Sequence, residues 1–364
     1  MNKVFKVFLD NISSSSYVPA EVLAGYRIIF GSLLLCYFLP SWSWLKAVPP
    51  AFFDPHILSF AYLTDSQLDN FIYLGADIVI ICFLVMLTIG LWTRWVLIGI
   101  FLLCAIFYSY SYSFGKIDHH TSILIFTFLL MAFTNCGSHF ALLKDKSVNK
   151  DVQKTALVVI SVSICFGFFT AGISKFIRWI DFDLNTSGFL SWFNTSYYLG
   201  EKEKYFLMDY VFKMPVLLLE SMDYMAAIYE ISGFLFLVRG KKYWLIFLFI
   251  SGVFHFSTLL LLNIDFTLTL LVYGIFSISP LFKRFNKKDS LTIKNLQYFF
   301  YAIIAVGILK IGCALFEIDS SILNYHSVSS KSKIYINLCL TLLYLMVSGY
   351  ILLQSKKIFV NQSK

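Results

Sequence analysis

Apolar residues gather into ten long runs, at about 21–40, 71–92, 95–114, 120–136, 155–174, 221–238, 243–262, 264–281, 296–315 and 335–354. Most are close to the roughly 20 residues a helix needs to cross the hydrocarbon core of a bilayer. Short polar or charged punctuation separates them. The pattern predicts an all-α fold, a polytopic transmembrane helix bundle of about ten spans. A further run at 205–220 is shorter and carries Asp209, Lys213 and Glu220, which reads as an interfacial or re-entrant helix. No repeat period or low-complexity stretch stands out.

Composition strengthens this reading. Only 14% of the 364 residues are charged, 59% are hydrophobic, and mean hydropathy is +0.75. A soluble domain carries about 25% charged residues and has too little interior to hide so much apolar surface. Disordered, collagen-like and nucleic-acid-binding classes are excluded. Seven cysteines show no CxxC spacing, and most sit inside apolar runs, where a lone cysteine acts as a small hydrophobe. No disulfide framework, zinc site or other metal is expected.

The net charge of +8 is informative through its placement. With ten spans and a cytoplasmic N-terminus, 18 of the 29 basic residues fall on inside segments and 9 on the longer outside loops, while Arg27 and Lys310 lie within spans. The inside clusters are short and dense, such as Arg239-Gly240-Lys241-Lys242. By the positive-inside rule, both termini are predicted to be cytoplasmic, and loops 41–70 and 175–220 to face out. The predicted organisation is a cytoplasmic N-terminal segment at 1–20, a membrane domain at 21–285, and two additional spans with a short tail at 286–364. The first apolar run is read as a span, not as a cleavable signal.

A charge at the bilayer centre costs about 2.5–3.5 kcal/mol on insertion scales, so each ionisable residue in an apolar run needs a reason. These are Arg27, Asp77, His119, His120, Lys175, Asp223, Glu230, His255, Asp265 and Lys310. By depth, Asp77, His119, His120, Lys175, Asp223, His255 and Asp265 lie toward one leaflet. Lysine withdrawn from water loses part of its preference for the charged form, and neutral lysine is a base or nucleophile. Neighbouring histidines can relay protons. Lys175, His120 and His255 are therefore the candidate catalytic residues, expected to converge on one outward-opening cavity. His119 and Asp265 are candidate supporting residues. Against this stands a plain alternative, in which Lys175 snorkels from a helix end to the interface and His255 is a packing residue. Glu230 and Arg27 lie apart from the group by depth and read as structural, pairing polar groups between helices.

Several stretches also resemble one known family when taken in order. They are Leu23-Ala24-Gly25-Tyr26-Arg27-Ile28-Ile29-Phe30-Gly31, Phe52-Phe53-Asp54-Pro55, Asp118-His119-His120-Thr121, Asn135-Cys136-Gly137, Phe169-Thr170-Ala171-Gly172-Ile173-Ser174-Lys175 with Trp179, and Phe254-His255. Over residues 18–285 the chain resembles the HTTM family, the membrane domain similar to vitamin K-dependent gamma-carboxylase. The resemblance implies a lyase-type membrane enzyme in which a lysine, here Lys175, deprotonates a reduced vitamin K-like quinone that reacts with oxygen. The strong base so formed removes a glutamate proton, and carbon dioxide adds to the carbanion. The family histidine falls on His120, and Trp179, just after the lysine, joins the candidate supporting residues on the same resemblance. The implied partners are the lipid bilayer, a quinone, and a secreted or membrane peptide. The implied location is a bacterial inner membrane.

The animal carboxylase carries a large luminal portion that handles its peptide substrate, and nothing comparable is seen after residue 285. A second function class therefore stays open. In it the chain is a non-catalytic maturation or export partner for a secreted peptide, similar to the membrane component of the sporulation-delaying toxin maturation system. Retention of Lys175 and His120 favours the enzyme, and the missing luminal portion favours the partner. A transporter ranks third, because no inverted repeat or pair of broken spans is visible.

Overall fold

The computed structural model describes residues 3–360 except 65, 116–118, 199–204, 279–289, 317 and 319–327, and describes no side chains for 3–5, 119–120, 290–294 and 355–360. The helices in chain order are α1 (Lys3–Ser16), α2 (Ala20–Cys36), α3 (Asn70–Ile89), α4 (Thr93–Ser111), α5 (His119–Met131), α6 (Lys150–Trp179), α7 (Gly188–Tyr198), α8 (Met208–Val211), α9 (Val216–Ile231), α10 (Gly233–Arg239), α11 (Lys241–Leu262), α12 (Thr267–Ser277), α13 (Ser290–Leu315) and α14 (Ser330–Val360). No strand occurs among the described residues.

Each of the ten apolar runs falls on a helix. Among the described residues, six helices are long and apolar enough to cross a membrane, or eight if two broken pairs each count as one span. One pair is Lys6–Ser16 with Ala20–Cys36. The other is Val216–Ile231 with Gly233–Arg239, bent by 45°. The two remaining runs form α5 and α12, of 13 and 11 residues. At 1.5 Å per residue these reach only about 20 and 16 Å, well short of the roughly 30 Å core. The run at 205–220 is not one helix. It holds the four-residue α8, a turn, and the start of α9.

The chain forms two compact units, each assembled from segments distant in sequence. One comprises 18–157 and 279–333, the other 1–17, 158–278 and 334–364. In the first, α3 and α4 form a tight hairpin. Gly90 ends α3 in the left-handed conformation (φ 76°), and the Gly90 and Leu91 amides both donate to the Met86 carbonyl. A side chain at Gly90 would also collide with the Arg27 guanidinium. Arg27 is fully buried and reaches this turn from α2. Its Nη2 donates to the Phe140 carbonyl at 2.5 Å and its Nη1 to Thr93 Oγ1 at 3.3 Å.

Two other polar groups of this unit are committed to its loops. Asp77 accepts the Trp42 and Ser43 backbone amides at 2.7 and 3.1 Å, and so holds the start of the 3-10 turn Ser43–Ala47. Asn135 accepts the Val148 amide at 2.6 Å and donates to Gln153 Oε1 at 2.7 Å, while Gln153 donates to the Val18 carbonyl. Two members of the sequence groupings, Asp77 and Asn135, are thereby occupied in folding their own unit.

The second unit is built around aromatic side chains of α6, α9, α11 and α12. Phe168 packs edge-on against Phe247 (5.2 Å) and Tyr229 (5.8 Å), and Tyr229 stacks on Phe247 (5.1 Å). Helix α14 closes this unit. Tyr344 donates to the Leu248 carbonyl and accepts from Ser277, and Asn337 donates to Asp265 at 2.7 Å. A smaller apolar cluster of Phe189, Phe193, Tyr197, Met208, Val211 and Leu219 packs α7, α8 and the start of α9 together.

Candidate functional site

Lys175 lies one turn before the end of α6, and the sequence just before it decides what the lysine meets. At Gly172 the helix has no side chain, and α9 comes so near that a Cβ there would sit 2.9 Å from Glu230 Cβ and 3.0 Å from the Ile231 nitrogen. This close approach brings Glu230 onto Lys175. Nζ donates to both carboxylate oxygens, each at 2.5 Å. The lysine side chain keeps 21% of its exposure and the glutamate only 4%. The ring of Trp179, one turn further on α6, lies 5.5 Å from Nζ, and the Phe254 ring of α11 lies 6.0 Å away. Both rings lie within the reach of about 6 Å at which a cation and an aromatic face attract.

His255 belongs to the same unit and is buried. Its Nε2 shares a hydrogen bond with the Tyr273 hydroxyl at 3.2 Å, and its Nδ1 has no partner among the described residues. The ring is sandwiched between Phe266 (4.4 Å) and Phe168 (5.8 Å) and lies near Lys175 without bonding to it. Asp265 is turned to other work. It accepts the Thr267 amide and hydroxyl at the start of α12 and the Asn337 side-chain amide of α14. His119 and His120 open α5, but their side chains lie outside the described residues.

The structure therefore joins Lys175 to Trp179 and Glu230, with His255 close by. The separation of Glu230 from the lysine group, argued above from depth, does not hold. The error has a clear cause. Run boundaries placed Glu230 mid-span, while the bend between α9 and α10 makes it the next-to-last residue of a shorter helix. The signal that could have found the pair was Gly172, three residues before Lys175. Small residues let helix backbones approach closely.

One cavity is formed by other residues. It is a space of about 490 Å³ in the first unit, lined by Trp44, Tyr108, Ser111, Tyr112, Phe114 and Thr121 among others, and it includes neither Lys175 nor His255. Among the described residues no three histidine, cysteine or acidic side chains are grouped to hold a metal ion. No family model, no curated protein and no solved structure matches the chain.

Proposed function

We propose that the chain is an integral membrane protein of about ten crossings, two of them made by the short helices α5 and α12 together with the apolar residues that adjoin them, with both termini cytoplasmic, in which Lys175 is a proton-abstracting base. The observation that carries this is the Lys175–Glu230 pair, set among aromatic rings with the lysine side chain partly exposed. Passing one proton from Nζ to Glu230 converts ammonium and carboxylate into amine and carboxylic acid with no change in net charge. The amine is the form in which lysine abstracts a proton. In a poorly solvated site this exchange avoids isolating a buried charge.

The resemblance to the HTTM family supplies the substrate side of the reading. A reduced quinone would bring a weakly acidic hydroxyl, with oxygen and carbon dioxide as the further reactants of a carboxylase-like lyase, and a secreted or membrane peptide as the group modified. The rings of Trp179 and Phe254, 5.5 and 6.0 Å from Nζ, are flat apolar surfaces of the kind on which such a ring packs. His120, by the same resemblance, and His255 are proposed as the accompanying proton-handling groups. The proposed location is a bacterial inner membrane.

One observation favours the second reading, a non-catalytic maturation or export partner. Both oxygens of Glu230 are used on Lys175, as they would be in a purely structural lock. Arginine separates the two. Lys175→Arg can still make a two-pronged contact with a carboxylate but cannot deprotonate in a protein. Oxygen uptake by proteoliposomes supplied with a reduced naphthoquinone is the assay. The enzyme reading expects Lys175→Arg to be as inactive as Lys175→Ala, with normal insertion of both. An arginine variant as active as the parent overturns the base assignment and leaves the partner reading.

A further inference from the structure

The buried face of α9 is acidic. Its buried residues are Leu219, Glu220, Asp223, Ala227 and Glu230, three of them carboxylic acids in an otherwise apolar helix. Glu220, Asp223, Ala227 and Glu230 are spaced three, four and three apart, so they share one stripe. Glu230 is satisfied by Lys175. The other two acids are not satisfied in that way.

Glu220 and Asp223 are each only 1% exposed. Asp223 Oδ2 accepts from the Ser187 hydroxyl (2.8 Å) and the Phe189 amide (3.1 Å) of α7. Its Oδ1 and both oxygens of Glu220 have no hydrogen-bond partner among the described residues. No described lysine, arginine or histidine is within ion-pair distance of either acid. The groups facing them are Asp181 from the loop after α6, which has the same charge, the Ser187 hydroxyl just before α7, and Tyr224 on α9 itself. No third carboxylate, histidine or cysteine among the described residues converges with them to complete a metal-binding set.

Two ionised carboxylates side by side and out of water are strongly unfavourable, because each carries a desolvation penalty of several kcal/mol and they repel. Neighbouring carboxyls solve this by sharing a proton, and they then titrate as a pair. We infer that Glu220 and Asp223 hold one proton between them and form the proton acceptor that serves the Lys175–Glu230 site. One proton turns Glu220 into a donor and Asp223 Oδ1 into its acceptor, which satisfies otherwise empty positions with no added ion. Each turnover at Lys175 loads one proton onto Nζ. Glu230, which took the earlier Nζ proton, gives it up through bridging water over the about 10 Å along α9 to the dyad, and the proton already held there leaves to solvent at the exposed Asp181 loop, so that Nζ and Glu230 return to ammonium and carboxylate. One proton enters and one departs, so the charge of the site is restored. The acceptor role rests on the base reading above, whereas the shared proton does not.

The experiment has two arms. Infrared spectra of the purified full-length protein in nanodiscs, in light and heavy water at neutral pH, read the carbonyl stretch of a protonated carboxylic acid. A band is expected in the parent, absent in Glu220→Gln and shifted in Asp223→Asn. No band, or one untouched by Glu220→Gln, overturns the shared proton. So does a rise in thermal midpoint on adding calcium chloride that is lost in Glu220→Gln, because the pair would then be ionised and holding a cation. In the oxygen-uptake assay, Glu220→Gln is expected to slow turnover at saturating quinone at least tenfold and to shift its pH profile, with KM unchanged. A variant with parental rate and profile overturns the acceptor role. If the parent itself takes up no oxygen, the base reading falls and the acceptor role with it, and the infrared arm still decides the shared proton.

Discussion

Gly172 shows how one missing methyl group positions chemistry. Any side chain there meets Glu230 Cβ and the Ile231 backbone below 3.1 Å, and backbone cannot swing aside. Gly172→Val is expected to push α6 and α9 apart at a cost of about 1–3 kcal/mol. It should also break the contact between Nζ and Glu230, though residue 172 touches no substrate. Thermal unfolding and oxygen uptake measured together check this, and unchanged activity would show that the pair does not depend on the close approach. Glu230→Gln removes the charge but keeps the shape. Breaking a fully buried pair costs about 3–5 kcal/mol. The cost here is expected to be lower because Lys175 keeps 21% of its exposure, and loss of activity is expected to exceed loss of stability. Parental activity in Glu230→Gln would return Glu230 to the structural role that its depth suggested. Lys175 and His255 could be picked out from residue type and position, and Trp179 from the stretch that resembles the HTTM family. Glu230 could not, because pairing across helices depends on a bend and a close approach that hydropathy does not encode.

At the scale of elements, hydropathy located all ten apolar runs because burying or dissolving apolar surface is a matter of composition. It overstated the length of two, α5 and α12, since apolar character continues past the last helical residue into turns. It also missed α7, whose Phe189, Phe193 and Tyr197 face one small cluster but whose other positions are too polar to form a run. The Arg27 contacts give an element-scale test. Its two arms bind the Thr93 hydroxyl and the Phe140 carbonyl on different segments, and lysine has one head for two acceptors. Arg27→Lys is expected to cost about 1–3 kcal/mol in thermal stability with the site at Lys175 unchanged. Equal stability would mean that the clamp contributes little. The loop after α6 offers a pH test. Asp181 accepts the Asp183 amide and the Thr186 hydroxyl, each at 2.9 Å, which holds its carboxyl below the usual carboxylate range. A carboxylate so lowered steadies the loop above its unfolded value and stops doing so as pH falls through its folded one. The Asp183 amide resonance is expected to titrate at lower pH than that of a free aspartate, and a midpoint at or above that value would contradict the hydrogen bonds.

For the whole molecule, the charge partition between short and long loops makes a claim about sides. Single cysteines placed in the 175–220 loop of a cysteine-free chain are expected to react with an impermeant maleimide from outside the cell and not from the cytoplasm. Labelling from the cytoplasm alone would invert the topology. The domain boundaries read from the sequence were consecutive, whereas the compact units interleave: 279–333 joins one and 334–364 the other. Nothing in a run of apolar residues states which distant run it will pack against, so this order was not legible beforehand.

The interleaving governs how the protein is made. Domains generally fold as units while the ribosome is still adding residues, but the unit that holds Lys175 and Glu230 takes its first segment from the N-terminus and its last from α14. Until that final helix has left the translocon, Asp265 lacks its Asn337 donor and the Leu248 carbonyl lacks Tyr344. The nascent chain must therefore keep a half-lined bundle in the membrane through the synthesis of an entire intervening segment. A stop codon after residue 328 is expected to yield full-rate synthesis but a product degraded soon after release, and pulse-chase labelling would show it. Completion of this unit waits on α14, whose Asn337 and Tyr344 are synthesised well after Lys175 and Glu230.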